Sequence, residues 1–179
     1  AEVKAGETIF YSKNDEAVKF ASPVSGKIVE IRRGDKRVIL EIRIQADAQD
    51  TFVEHGTKNP NEMSGDQVKA HLLASGCWPF IKQRPYDVVA HSGDTPKAIF
   101  ISGYSSAPLS ADVEVALKDK VASFQAGVDA LAKLTSGKVH VTVSPDASFM
   151  PDGIKAEVHK GYGKHPIGLV STQIAQIDP

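Results

Sequence analysis

Alternating hydrophobic and polar positions dominate the first fifty residues, and short turns interrupt them at regular intervals. The alternation predicts strands at 9–11, 18–20, 27–31 and 38–44. Pro23 and Gly26 stand in one of the turns, where they block continuation of a strand. Because these few short strands cannot bury both faces of a sheet, we expect a preceding segment or the next domain to cover this β unit.

After about residue 50 the hydrophobic positions recur at intervals of three and four. Ser64 and Gln67 have the spacing of a capping box ahead of the apolar residues Val68 and Leu72. Gly76 stands where a C-terminal helix cap is expected. A short helix is therefore predicted between Ser64 and Gly76.

The rest of the chain alternates strand and helix patterns. Residues 98–102 are a continuous apolar run typical of a buried parallel strand, and helical spacing follows over 121–131. Val139, Val141 and Val143 predict the next strand, and a last strand pattern at 156–159 precedes a helical one that ends near residue 174. This order predicts a βαβ unit with parallel strands, and hence an α/β fold.

Composition and charge narrow the classes of function. The chain has 179 residues, of which 41% are hydrophobic and 24% charged, as in a globular domain that can form a core. The 21 basic and 22 acidic residues give a net charge of −1, so we expect no nucleic-acid partner. No apolar run approaches the roughly 20 residues that cross a bilayer, so we expect no membrane span. The first residues resemble the middle of a domain, and we expect an internal piece of a longer protein.

The segment from Gly161 to Gly168 lies between a predicted strand and a predicted helix, where phosphate-binding loops occur. Its spacing departs from the dinucleotide fingerprint, because Pro166 occupies the position of the third glycine. Lys164 is followed by His165, so it does not form a phosphate-binding Gly-Lys-Ser/Thr motif either. A tight turn, with Pro166 in the first turn of the helix, is therefore favoured over a nucleotide site.

Histidine and cysteine spacing predicts no metal site and no nucleophile. The six histidines have no pair at ligand spacing, and Cys77 is the single cysteine. A lone cysteine is typically a small buried apolar residue, and one cysteine cannot form an intrachain disulfide. We therefore predict no catalytic, cofactor-binding or metal-binding residues, and a cytosolic setting.

Two further features have a functional and a structural interpretation. Lys13 lies in a predicted turn about ten residues before Pro23 and Gly26, the layout of lipoyl and biotinyl carrier domains, but the Met-Lys-Met context of biotinylation is absent. An exposed, unmodified turn residue is favoured. Aromatic side chains near Trp78 and Arg84 are typical of an apolar ligand pocket or of a packed loop, and packing is the more common outcome.

An ordered set of motifs resembles one family, the NqrA subunits of the bacterial sodium-translocating NADH:quinone reductases. The set spans nearly the whole chain and consists of Val3-Lys4-Ala5-Gly6-Glu7, Ala21-Ser22-Pro23-Val24-Ser25-Gly26-Lys27-Ile28, Arg33-Gly34-Asp35-Lys36-Arg37-Val38, Ser75-Gly76-Cys77-Trp78, Arg84-Pro85-Tyr86 and His165-Pro166-Ile167-Gly168-Leu169. The resemblance implies part of a lipoyl-like, barrel-sandwich hybrid β domain over residues 1–50 and a Rossmann-like α/β domain over 51–179.

The same resemblance implies a role in electron transport without a resident cofactor. The complex passes electrons from NADH to ubiquinone and pumps sodium ions; FAD, FMN and iron-sulfur centres are expected on other subunits. NqrA is expected to be peripheral, at the cytoplasmic side of the bacterial inner membrane, with the other subunits and ubiquinone as partners. We expect this segment not to be catalytic alone.

The candidate contacts with quinone or a partner are Trp78, Arg84, His165, Pro166 and Gly168. The alternative function is a flavin- or nicotinamide-binding electron-transport protein, similar to the RnfC component of the Rnf complex or to the flavoprotein of respiratory complex I. That alternative would use the loop from Gly161 to Gly168. The glycine fingerprint and cluster cysteines of those proteins are not found in this sequence.

Overall fold

The computed structural model describes all 179 residues, which form two compact units. One unit contains residues 1–57 and 69–94, and the other contains 58–68 and 95–179.

Five strands build the first part of the first unit: β1 (Glu2–Val3), β2 (Thr8–Tyr11), β3 (Lys19–Ala21), β4 (Gly26–Arg33) and β5 (Ile39–Ala46). β1, β4 and β5 form an antiparallel sheet in that order, and β2 pairs with β3. The four predicted strand patterns of this region are confirmed. Lys13 lies exposed in the turn between β2 and β3, as predicted.

The long β4–β5 hairpin keeps apolar side chains at its surface. Val29, Val38 and Leu40 are each more than half exposed, and Ile31 is 47% exposed. The pairing of β4 with β5 holds the hairpin, which buries little of these four apolar side chains.

Helix α1 (Gly65–Ala74) has both of its predicted ends. Gln67 Oε1 accepts a hydrogen bond from the Ser64 backbone N–H at 2.9 Å, and Ser64 Oγ accepts one from the Gln67 N–H at 3.3 Å. At the other end, Cys77 N–H donates to Leu72 O and Gly76 N–H donates to Leu73 O, with Gly76 at φ +70°. This is the Schellman arrangement, and the capping box and the glycine cap are both confirmed.

A short hairpin of β6 (Lys82–Gln83) and β7 (Val88–Val89) completes the first unit. One 3-10 turn, Trp78–Phe80, precedes it.

The second unit is an α/β arrangement with β8 (Ile99–Gly103), α2 (Val113–Leu117), α3 (Val121–Ala132), β9 (Val139–Val143), β10 (Glu157–Lys160) and α4 (Val170–Ile177). The strands are parallel in the order β8-β9-β10. The predicted βαβ unit with parallel strands is confirmed. Helix α2 is an element that the hydrophobic pattern did not predict.

The core of this unit lies on one face of the parallel sheet. Val139, Val141 and Val143 of β9 pack with Val128 of α3 and with Phe149. Because side chains alternate across a strand, His140 and Thr142 lie on the opposite face. Both are buried as well, so β9 is buried on its two faces as central parallel strands usually are. None of the four helices combines the length and the apolar character needed to cross a bilayer.

Candidate functional site

The loop from Gly161 to Leu169 lies at the edge where the parallel strands end. β8, β9 and β10 run in the same direction, and their last residues are Gly103, Val143 and Lys160. The loop follows β10 directly and leads into α4. In open α/β sheets ligands commonly bind at this carboxyl edge. The predicted placement of the loop between a strand and a helix is confirmed.

One hydroxyl group, that of Ser106, anchors the loop. The backbone N–H of Gly168 donates to Ser106 Oγ at 2.9 Å, and Ser106 Oγ lies 3.1 Å from Nδ1 of His165. With its oxygen accepting from Gly168, the hydroxyl has a proton to donate to Nδ1. In that arrangement the imidazole proton is on Nε2 and the ring is held by one hydrogen bond.

Gly168 is a glycine because another backbone segment lies against it. A Cβ at this position would meet the Ser106 nitrogen at 2.1 Å and the Ser105 carbonyl carbon at 2.8 Å. Its N–H is already bonded to Ser106. The glycine therefore serves close packing, and its N–H is used by an internal hydrogen bond.

A buried glutamine holds the loop from below. Gln173 of α4 is 2% exposed, and its Nε2 donates to Ser102 Oγ at 3.2 Å and to Ile167 O at 3.3 Å. Ile167 is buried as well. The loop is thus fixed at its centre by packing and hydrogen bonds.

The outer side of the loop is exposed. His165 and Pro166 are both exposed, and Tyr162 is 70% exposed. The expectation that Pro166 stands in the first turn of the helix is wrong, because α4 begins at Val170. Pro166 instead lies in the loop, where it follows His165 directly and is exposed.

Trp78, the first aromatic candidate, is a packed residue. Its side chain is 3% exposed, and its indole N–H donates to Ala90 O at 2.7 Å. The Lys69 ammonium lies 6.0 Å from the ring centroid, at the limit of a cation–π contact. This burial argues against a direct ligand contact by Trp78, and packing is the interpretation that its surroundings support.

Phe80, at the end of the 3-10 turn, and the loop of the hairpin that follows are exposed, unlike Trp78. Phe80 and Tyr86 are 86% and 82% exposed. The Arg84 guanidinium lies 3.8 Å from the Asp87 carboxylate, and the side chain of Arg84 is only one-third exposed. Phe80, Arg84 and Tyr86, which we call the aromatic hairpin surface, therefore offer one cation and two aromatic rings to solvent.

Cys77 does not fit its prediction. The sequence predicted a small buried apolar residue, yet Cys77 is an exposed free thiol. Its backbone N–H closes the Schellman cap of α1.

A cluster that the sequence did not predict lies on the second face of the parallel sheet. His140 Nδ1 is 3.0 Å from His159 Nε2 and 3.5 Å from Glu157 Oε2. One ligand atom from each of the three residues lies within 4.8 Å of the others, as a metal ion would require. The side chain of His140 is 7% exposed, whereas that of Glu157 is 46% exposed.

Neighbouring side chains fix this cluster. Phe100 of β8 stacks on the His140 ring with centroids 4.8 Å apart and an interplanar angle of 19°. Lys138 Nζ binds Glu157 Oε1 at 2.5 Å and thereby lowers the pKa of that carboxyl. Burial lowers the pKa of His140, and the nearby His159 lowers it further. The His140 imidazole is therefore held neutral over a wider range of pH than a free histidine.

The sequence shows part of this cluster, namely the spacing of Glu157 and His159. The third residue, His140, joins them only through the pairing of two strands. Glu157 and His159 are separated by one residue in a strand pattern, so they share a face. His140 joins them because β10 pairs with β9 in the register Glu157 to His140. A search for histidines at ligand spacing along the chain cannot detect residues that meet through strand register.

Two domain families match this chain. Residues 1–47 match the NqrA N-terminal barrel-sandwich hybrid domain, and residues 63–179 match the NqrA second alpha/beta domain. These matches confirm the predicted fold class of a barrel-sandwich hybrid β domain followed by an α/β domain.

Curated relatives carry the same family name. The chain is 36% identical over 181 residues to the NqrA protein of the Na(+)-translocating NADH-quinone reductase of Yersinia pseudotuberculosis serotype O:1b. It is 37% identical over 183 residues to that of Serratia proteamaculans, and 36% over 183 residues to that of Alcanivorax borkumensis. Each match covers 99% of this chain and 40% of the relative, so the chain spans about two-fifths of the length of these proteins.

Proposed function

Because this chain belongs to the NqrA family of sodium-translocating NADH-quinone reductases, we propose that it serves as part of a peripheral subunit of such a complex. In this proposal the protein lies on the cytoplasmic side of the bacterial inner membrane and contacts the other subunits. The flavins and iron centres reside on those other subunits, and this chain positions ubiquinone without carrying electrons.

The observation that supports a quinone contact is the anchored loop at the carboxyl edge of the parallel sheet. When the Ser106 hydroxyl donates to Nδ1 of His165, the exposed imidazole carries its proton on Nε2 and is free to donate it. A quinone presents carbonyl oxygens as acceptors at the rim of an apolar ring. His165 would donate to one carbonyl oxygen, while Pro166 would pack against the ring, and Gly168 would keep the loop against Ser106.

The aromatic hairpin surface is a second proposed contact, in the other unit. Phe80 and Tyr86 supply exposed rings, and Arg84 supplies a donor that is not fully engaged by Asp87. Tryptophan, tyrosine and arginine are the residues that most often dominate protein interfaces. Because Trp78 is buried, we assign it the positioning of this hairpin instead of a direct contact.

The alternative, a flavin or nicotinamide in the loop, has weaker support. Such a site would need backbone N–H groups of the loop free to bind phosphate. The Gly168 N–H is used by Ser106, and Pro166 has no N–H. The proposed quinone contact requires no free backbone N–H at Gly168 or Pro166.

The test is a calorimetric titration of the chain with a soluble ubiquinone analogue, repeated with NADH and with FMN. His165→Ala should weaken quinone binding roughly two- to tenfold, the effect of losing one hydrogen bond. His71→Ala, which removes a histidine from α1, is the matched control and should leave the affinity unchanged. Equal weakening by both variants, or binding of FMN or NADH in place of quinone, would contradict the proposal.

A further inference from the structure

We propose that His140 Nδ1, His159 Nε2 and the Glu157 carboxylate form a binding site for one divalent transition-metal ion, with zinc as the best-matched occupant. The site lies on the second face of the parallel sheet, and neither the Gly161–Leu169 loop nor the aromatic hairpin surface takes part in it.

Two of the three distances between the ligand atoms are close to those of a tetrahedral zinc site. With zinc–nitrogen bonds of about 2.0–2.1 Å at tetrahedral angles, two ligand atoms on one ion lie roughly 3.3 Å apart. The two histidine nitrogens lie 3.0 Å apart, and His140 Nδ1 lies 3.5 Å from Glu157 Oε2. The three ligand atoms lie within 4.8 Å of one another, so the Glu157 and His159 side chains must approach each other by up to about 1.5 Å for all three to surround one ion.

The donor set selects the class of metal. Two imidazole nitrogens and one carboxylate favour zinc and its neighbours among the transition metals, whereas magnesium and calcium prefer oxygen ligands only. Histidine binds a metal as the neutral ring. Three protein ligands leave the fourth tetrahedral position open to water or to another ligand.

Side chains that are not ligands themselves contact two of the three ligands, as is usual around metal sites. Phe100 stacks on His140 and restricts rotation of its ring. Lys138 binds Oε1 of Glu157, so that Oε2 faces His140. The three ligands stand on paired strands, β9 and β10, and are therefore fixed by a hydrogen-bonded ladder instead of by a loop.

The cluster is open to an entering ion on one side. His140 is buried, His159 is half-buried, and Glu157 is nearly half exposed. An ion would therefore arrive past Glu157 and displace the hydrogen bond between the two imidazoles.

A hydrogen bond between two neutral imidazoles, with no ion, is the competing explanation of the 3.0 Å distance. It requires only that one nitrogen carries a proton and the other does not. This explanation predicts no saturable binding of zinc by the cluster, so metal titration separates the two.

The experiment is a titration of the metal-free chain with Zn²⁺ by calorimetry, and with Co²⁺ followed by its visible absorption. We expect one ion per chain, and with Co²⁺ the intense bands of a four-coordinate site. His159→Gln and Glu157→Gln, which change residues that are not fully buried, should each weaken binding by about tenfold or more. His71→Gln is the control and should bind as the unchanged chain does.

Circular dichroism of each variant shows that the fold is retained. Absence of stoichiometric binding, or affinities that remain the same in His159→Gln and Glu157→Gln, would overturn the proposal. Weakening by His71→Gln to the same degree would also overturn it, because binding would then be spread over surface histidines.

Discussion

The backbone N–H of Gly168 donates to Ser106 Oγ at 2.9 Å, across 62 residues of sequence. The same oxygen lies 3.1 Å from His165 Nδ1, so one serine joins the segment after β8 to the segment after β10. The exposed imidazole of the proposed quinone contact therefore depends on a packing relationship between two backbone segments.

Replacing Gly168 with alanine should destabilise the protein. The new Cβ would meet the Ser106 nitrogen at 2.1 Å, so the two segments must separate and the hydrogen bond must lengthen. Overpacking of this kind costs about 1–3 kcal/mol, which urea denaturation measures. Gly127→Ala is the control, because Gly127 lies in α3 with nothing within 4 Å of its Cβ position, and it should stabilise by up to about 1 kcal/mol. Effects of the same sign at both positions would contradict the packing argument.

Trp78→Phe should lower stability without changing the affinity for a quinone. Phenylalanine keeps an aromatic ring but lacks the indole N–H that donates to Ala90 O at 2.7 Å. Leaving that partly buried carbonyl without its partner should cost about 1 kcal/mol in the free energy of unfolding. Calorimetry on the folded variant should give the binding constant of the unchanged chain. A large loss of affinity in Trp78→Phe alone would make Trp78 a direct contact.

Because of Asp15, the free energy of unfolding should fall as the pH becomes acidic. Its carboxylate accepts hydrogen bonds from the Ser92 backbone N–H at 2.6 Å and from the Ser92 hydroxyl at 2.9 Å. The backbone hydrogen bond is the main cause that lowers the pKa of Asp15, the serine hydroxyl adds to it, and partial burial opposes it. Since the folded-state pKa lies below the unfolded one, this stabilisation is fully present above about pH 4 and is lost as the pH falls through the folded-state value.

Asp15→Asn should therefore lose about 1.5–3 kcal/mol at neutral pH and show a smaller further loss on acidification. Urea denaturation at a series of pH values measures both effects. Asp94→Asn, an exposed carboxylate of the same unit, serves as the comparison. If the two variants show the same change of stability with pH, Asp15 is not the group responsible.

Asp129→Ala should destabilise the α/β unit. Asp129 is a buried carboxylate of α3 that accepts hydrogen bonds from Asn61 Nδ2 at 2.8 Å and from Gln125 Nε2 at 3.0 Å. Removing it leaves two amides without their acceptor, at a cost of about 1–3 kcal/mol. Asp119→Ala, an exposed change just before the same helix, should have little effect on thermal unfolding. Equal melting temperatures for the two variants would contradict this role of Asp129.

Local signals in the sequence predicted much of the fold. The capping box at Ser64 and the glycine cap at Gly76 were predictable because each depends on residues within one helix. The strands near Ile99 and Val139 were predictable because apolar runs of that length are typical of buried parallel strands. Helix α2 was missed, because a helix of five residues leaves too short a pattern.

Contacts between distant segments could not be predicted in the same way. The meeting of His140 with Glu157 depends on the register of β10 against β9, and a shift of one residue would place Glu157 on the other face. The bond between Ser106 and Gly168 depends on where two loops converge. The burial of Trp78 depends on Ala90 lying beside it, which a motif of aromatics does not reveal. The division into domains at residue 50 and the quinone-contact residues remain predictions.

The most direct test of the proposed role is a calorimetric titration of this chain, and of a full-length NqrA protein, with a soluble ubiquinone analogue. We predict saturable binding by the chain that weakens in His165→Ala and persists in His71→Ala. Binding by the full-length protein only would show that these residues do not form the site, and binding of FMN or NADH by the chain would contradict a cofactor-free role.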